Sequence, residues 1–189
     1  MPRRYDPERR QRIIDAAIRI AELNGIGAMS HRTVAAEADV PLGSTTYHFA
    51  SLDDLLVAAL RQVNSEPRGA LTDWEDVLTE VRAGPQEEGL TLADALTRLL
   101  EEYARGDRGR IRLEYEIYLA ALRRPALQPV AAECIDEMVE VIGRHTPDPA
   151  MARVLVALID GLLLQLLLTD RPFDRAAVRE ALARVTGES

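Results

Sequence analysis

Three consecutive hydroxyl side chains, Ser44-Thr45-Thr46, followed by Tyr47 and His48, form the most suggestive cluster in this 189-residue chain. They sit in the run Leu42-Gly43-Ser44-Thr45-Thr46-Tyr47-His48, whose glycine and β-branched residues make it a poor helix former. Such a run is better explained by what it touches than by its propensity. Hydroxyls hydrogen-bond base edges and phosphate oxygens, a threonine methyl packs on thymine, and glycine permits close backbone approach. The chemistry on offer is recognition of a DNA groove.

Bond-making chemistry finds little support. His31, His48 and His145 lack the spacing of a metal site, and Cys134 has no partner near it in sequence, so neither a metal nor a cofactor is expected. All 23 basic residues are arginine. Without lysine there is no Walker-type phosphate loop and no Schiff-base chemistry. Gly25-Ile26-Gly27 follows a helical pattern rather than a strand, which removes the dinucleotide-loop reading. No clustered acid–base or nucleophile set stands out, so the chain does not read as an enzyme.

The elements that would position the cluster read as helices throughout. Asp6-Pro7 is an N-cap followed by proline at the first helical position. Ile13, Ile14, Ala17, Ile18 and Ala21 then form one apolar face, and Asn24-Gly25 ends the helix. Ser30 caps a short second helix with Val34, Ala35 and Ala38 inward, and Asp39-Val40-Pro41 breaks it before a third helix over Leu42 to His48. Ser51 with Asp54 resembles a capping box for a fourth helix, whose buried stripe is Leu52, Leu55, Leu56, Ala59, Leu60 and Val63. Two short helices joined by a tight turn, the second exposing hydroxyls, suit insertion into a major groove.

At −8 the net charge looks wrong for a DNA binder, but the acid is unevenly placed. Residues 1–56 hold 7 Arg against 8 Asp and Glu, whereas the remainder holds 16 against 23. Arg3, Arg4, Arg9, Arg10 and Arg12 crowd the start, and a local basic patch is what phosphate contact requires. The charged start is not a secretory signal, and the single cysteine makes no internal disulfide, which points to the cytoplasm.

The run from Met29-Ser30-His31-Arg32-Thr33-Val34-Ala35 through Tyr47-His48-Phe49, then Ser51 to Leu56, closely resembles the head of the tetracycline-repressor-like (TetR) family. The segment from Ala157 to Gln165 resembles that family's penultimate, dimer-forming helix. The resemblance implies an all-α protein with a three-helix helix-turn-helix head at 1–50, a connecting helix at 51–66 and a helical ligand-binding and dimerisation domain at 67–189. It implies that His31, Arg32 and Thr33 meet phosphates, as helix N-termini favour anions. It further implies that Leu42, Gly43, Ser44 and Thr46 face bases and that Tyr47 and His48 contact the backbone. Thr45 looks inward in many relatives. Two departures stand out: Asp39 replaces the usual turn glycine, and Leu52 replaces a phosphate-contacting lysine. Asp53 and Asp54 would weaken binding nearby, with Arg3 and Arg4 as compensation.

Longer, more acidic helices are expected near 70–82, 91–104, 107–123, 126–145, 149–169 and 174–186, with a mobile loop over Gly84 to Gly89. The 107–123 helix is apolar on two faces, Ile111, Tyr115, Tyr118, Leu119 and Leu122 against Leu113, Ile117 and Ala120, and so reads as central. Tyr103, Glu114, Tyr115, Tyr118 and Leu163 are candidates for an effector site or equally for core. Glu114 or Glu116 would pair with a cationic ligand or with an arginine such as Arg153. The segment Val154 to Leu168, interrupted by Asp160 and Gln165, reads as too short to span a bilayer. Its helix is instead a candidate dimer element through Leu155, Leu158, Leu162 and Leu166, with Arg179 on the rim. The expected partners are double-stranded operator DNA, a small-molecule effector and a second copy of the chain. The other reading is a helical carrier or enzyme whose first third only resembles a DNA-binding head.

Overall fold

The computed structural model describes residues 8–65, 74–79, 91–106, 108–169 and 171–188. Among them every regular element is helical. They comprise α1 (Arg9–Asn24), a 3-10 turn (Ile26–Ala28), α2 (His31–Glu37), α3 (Leu42–His48) and α4 (Leu52–Ser65). There follow a helical stretch at 74–79, α5 (Leu92–Arg105), α6 (Arg108–Ala121), a 3-10 turn (Pro125–Leu127), α7 (Gln128–Gly143), α8 (Pro149–Leu168) and α9 (Arg175–Thr186). Asp6-Pro7, the arginines Arg3 and Arg4 and the Gly84 to Gly89 segment lie outside the described residues.

Contacts group the chain into two units, Met1–Val63 with Gly109–Ala131, and Asn64–Arg108 with Ala132–Ser189. In the first, α1, α2 and α3 pack against one another. Ile13, Ile14, Ala16, Ala17 and Ala21 of α1 are buried, as are Val34 and Ala35 of α2 and Phe49 after α3. Each buried isoleucine contributes ~1.5–3 kcal/mol, which is how helices as short as α2 and α3 become stable. Leu55, Leu56, Ala59, Leu60 and Val63 of α4 are buried as the stripe predicts, with Leu52 only half-buried. Ser51 and Asp54 form the reciprocal cap: the Ser51 N–H donates to Asp54 Oδ2 at 3.0 Å and the Asp54 N–H to Ser51 Oγ at 3.1 Å.

Most of α6 belongs to the first unit. Ile111, Leu113, Tyr115, Ile117 and Ala121 are buried, so the helix is enclosed on more than one face. Leu119 and Leu122 are exposed, whereas Ala121 between them is buried, so the last turn still has a covered side and these two leucines lie off it. Polar contacts tie this segment to α4 and to the end of α1. Arg110 donates to the Val63 carbonyl, Arg124 pairs with Asp53 at 2.7 Å, and the Ile26 N–H donates to Glu116 Oε2 at 2.6 Å.

In the second unit α5 packs on both α8 and α9, and α8 on α9. Thr91 and Asp94 form a capping box at the start of α5. Glu188 accepts the next two orphan amides, from Leu92 at 3.1 Å and Ala93 at 2.9 Å. Arg179 Nε donates to Asp94 Oδ1 at 2.6 Å, and Arg175 pairs with Glu101 at 2.6 Å, joining α9 to α5. The Arg179 guanidinium is the main reason the Asp94 carboxyl is held below its usual range. Cys134 is buried, as a small core residue would be.

Ala152, Leu155, Val156, Ile159 and Leu163 of α8 are buried, whereas Val154, Ala157, Gln165 and Leu168 are exposed. At 20 residues α8 is long and apolar enough to cross a membrane, so length does not exclude that, contrary to expectation. The helix runs on from its Asp148 cap and Pro149 through the Asp160 and Gln165 interruptions. Its packed face places it in a helical layer with α5 and α9.

Candidate nucleic-acid interface

The start of α2 is held by its own side chains. The Thr33 N–H donates to Ser30 Oγ at 3.1 Å and the Ser30 N–H to Thr33 Oγ1 at 2.9 Å. Thr33 Oγ1 also lies 3.1 Å from the Ala28 carbonyl, to which it donates. Both polar groups of Thr33 are thus engaged within the protomer, because the cap uses them. His31 is half-buried, with Nδ1 enclosed and without a hydrogen-bond partner, and Arg32 is exposed.

The turn between α2 and α3 has a definite geometry. The Asp39 N–H donates to Ala36 O at 3.2 Å and the Val40 N–H to Ala35 O at 3.0 Å. These are the two bonds of a Schellman ending, with Asp39 left-handed at φ +50°. Aspartate occupies the position that usually takes glycine, and adopts glycine's conformation.

Helical periodicity then sorts α3 into two faces. Leu42 (46% exposed), Gly43, Thr46 and Tyr47 (83% exposed) point outward. Ser44 and Thr45 point inward, with Thr45 at 0% exposure. Thr45 Oγ1 donates to Leu42 O at 2.8 Å and lies 3.4 Å from His31 O, linking α3 to the first residue of α2. The hydroxyl of Ser44 is therefore corrected from an outward reader to an inward residue, and Thr45, offered first with the DNA-reading hydroxyls, lies inward as it does in many relatives, because burial leaves neither a solvent face. His48 is half-buried, its ring edge-to-face with Tyr47 at 5.1 Å. A Cβ on Gly43 would meet nothing within 4 Å, so nothing inside the protomer requires glycine there.

The acids flanking this surface are engaged. Asp53 pairs with Arg124, and Asp54 is folded back onto Ser51. Arg19 pairs with Glu37 at 2.8 Å, and Arg10 stacks over the Phe49 ring at 5.2 Å, bracing α1 against the other two helices. Neither pairing shows in the sequence, since their members lie 18 or more residues apart.

The other candidate sets divide. Tyr118 donates to Glu114 at 2.9 Å and its ring meets Tyr115 edge-to-face at 5.8 Å, so these three are brought together. Tyr103 and Leu163 belong to the other unit, the first half-buried and the second buried. Glu116 takes the Ile26 amide as its partner, a contact across 90 residues that no local pattern announces. Of the dimer candidates, Leu158, Leu162 and Leu166 are partly exposed, but Leu155 is at 0% exposure and serves the protomer's own core, because it faces inward on α8. Val154, at 52%, occupies the outward position that sequence periodicity leaves open. Arg179 is taken up by Asp94 of the same chain.

Residues 13–59 match the family described as bacterial regulatory proteins, tetR family, and residues 87–188 match the tetracyclin repressor-like C-terminal domain. Among solved structures the chain resembles the multidrug binding protein EbrR. With its imidazole complex it shares 54% identity over 96% of each chain, at a TM-score of 0.83. With the ethidium complex it shares 55% over 95% of this chain and 99% of the other, at 0.78. With the malachite green complex it shares 54% over the same shares, at 0.70. The nicotine-responsive transcriptional repressor HdnoR of Paenarthrobacter nicotinovorans is 26% identical over 84% of this chain and 83% of its own. The repressor KstR of Rhodococcus jostii is 35% identical over 100 residues, and the match spans about half its length, 47%. The chain belongs to the TetR family of bacterial regulatory proteins, and its first helices are that family's helix-turn-helix DNA-binding domain.

Proposed function

We propose that the protein is a cytoplasmic repressor that binds a pseudopalindromic operator as a homodimer and releases it when an aromatic organic cation binds. The observation that carries the DNA half is the sorting of α3: Leu42, Gly43, Thr46 and Tyr47 outward, and Thr45 tied inward to His31. A short helix braced from behind and bare in front suits a major groove. In this reading Arg32 and the edge of His31 meet phosphates, Leu42, Gly43 and Thr46 meet bases, and Tyr47 and His48 meet the sugar-phosphate backbone. Residues 1–50 bind DNA, 51–66 connect, and 67–189 bind effector and dimerise.

Support for a cationic effector comes from the Glu114, Tyr115 and Tyr118 cluster, where a carboxylate stands beside two aromatic rings. Aromatic faces and a carboxylate both attract a desolvated cation. The EbrR complexes with ethidium and malachite green point to the same ligand class. The outward, largely apolar side of α8, Val154, Ala157, Leu158, Leu162 and Leu168, is the face a second copy would cover. With operator and effector as the ligands, no catalytic step is assigned to any residue.

Fluorescence anisotropy with the DNA upstream of the protein's own gene tests the proposal. It should bind at least about 10³-fold more tightly than a scrambled duplex at equal salt. Malachite green should release it, with the scrambled duplex as control for dye–DNA binding. Equal affinity for both duplexes would refute the operator reading. Dye binding without release would leave a carrier.

A further inference from the structure

We infer that Glu116 is the positioning residue through which the state of α6 reaches the DNA-facing end of α2. The inference rests on the regulator reading above. Successive residues are about 100° apart on a helix, so Glu116 leaves α6 on the side away from the Glu114–Tyr118 pair. That pair faces the proposed effector, while Glu116 Oε2 accepts the Ile26 N–H at 2.6 Å. Gly25, beside it, has φ +78° and ψ 162°, a conformation essentially reserved for glycine. A Cβ there would sit 3.1 Å from both carboxylate oxygens. Glycine at 25 and glutamate at 116 are thus fitted to each other.

From this joint a series of hydrogen bonds, joined through the backbone at Gly25–Ile26 and at Ser30–His31, runs to the recognition surface. Gly25 O accepts from the Ala28 N–H at 3.1 Å, and Ile26 O from the Met29 N–H at 3.2 Å. Ala28 O accepts from the Thr33 hydroxyl at 3.1 Å, and Thr33 closes the cap with Ser30. His31 O lies 3.4 Å from Thr45 Oγ1 of α3. Every group in this chain of contacts belongs to the first unit. Rotation or translation of α6 that draws Glu116 away therefore frees the Ile26 turn and the start of α2. An effector that prefers the state with this bond broken weakens operator binding by the difference in its affinities for the two states.

The test uses the intact homodimer with Glu116→Ala and Glu116→Gln. Three quantities are read: the operator Kd, the malachite green Kd without DNA, and the factor by which saturating dye weakens operator binding. That last factor is a ratio, which general destabilisation would leave unchanged. Both variants should bind dye within about twofold of the parent, while the release factor falls below about threefold in Glu116→Ala. Glu116→Gln, which keeps a neutral acceptor, should lie between. Exchange of the Ile26 amide should quicken about tenfold or more in Glu116→Ala. A parental release factor, or unchanged Ile26 exchange, overturns the inference. If dye fails to release even the parent, the effector reading falls on its own. Glu116 is then decided by operator affinity: a loss of about tenfold in Glu116→Ala supports the joint, and parental affinity refutes it.

Discussion

Thr45 and Thr46 are neighbours with opposite duties, and substituting each separates folding from recognition. Thr45→Val keeps the buried methyl volume and removes only the hydroxyl that donates to Leu42 O at 2.8 Å and approaches His31 O at 3.4 Å. One net internal hydrogen bond is worth about 0.5–1.5 kcal/mol, and with no cavity created the loss should fall in that range. For a chain of this size that is roughly 1–6 °C in melting temperature, at about 2–4 °C per kcal/mol. Operator affinity at 20–25 °C should change by less than about threefold, since a fully buried side chain adds no contact to DNA. Thr46→Ala is the converse. Its hydroxyl is exposed and only 3.4 Å from Gly43 O, so stability should move by less than about 0.5 kcal/mol. Removing a hydrogen bond to a base costs about 1–3 kcal/mol, or roughly 5–150-fold, for each half-site. Guanidinium unfolding gives the first quantity, and anisotropy with operator and scrambled duplexes at fixed salt gives the second. A fully stable Thr45→Val that binds operator more than about tenfold more weakly would show that α3 is turned otherwise. So would a Thr46→Ala that binds as the parent does.

Further outcomes follow from single observations. Asp39→Gly should stabilise by at most about 1 kcal/mol, because relief of the left-handed backbone at φ +50° is partly offset by glycine's freer unfolded chain; a loss on chemical denaturation would mean the carboxylate itself holds the turn. Arg32→Ala, exposed at the start of α2, should weaken binding to all sequences alike and reduce the slope of log K against log salt by about 0.9 for each phosphate that Arg32 neutralises. Val154→Asp should leave the protomer folded, since that side chain is outward, yet abolish the dimer in sedimentation and weaken operator binding at least about 100-fold. Asp94 has its pKa lowered, chiefly by Arg179, so its contribution to stability is complete above the ordinary aspartate value and is lost as pH falls through the lowered one. Thermal melts from pH 7 down to about 3 should therefore decline more steeply for the parent than for Asp94→Asn, and parallel curves would contradict the Arg179 pairing.

What could be read along the chain was whatever neighbours in sequence decide between themselves. Caps act over three residues, so Ser30 and the Ser51–Asp54 box were legible, as was the extent of α3 from Leu42 to His48. The break at Asp39-Val40-Pro41 was legible too, and the left-handed backbone of Asp39 falls where the family resemblance places a turn glycine. Apolar periodicity located the inner faces of α1, α2 and α4 for the same reason. Tertiary structure decided everything that depends on which surface meets which. It turned Ser44 inward, since a seven-residue helix whose one aliphatic residue is Leu42 has no apolar stripe to declare its buried side. Leu155 went to the protomer's core and Val154 to its surface, because α8 is apolar nearly all round and its composition alone does not orient it. Arg179 was claimed by Asp94, 85 residues away, and Glu116 by the amide of Ile26, 90 residues away. A charged side chain in the sequence advertises only that it needs a partner; burial and reach in the folded chain choose which one.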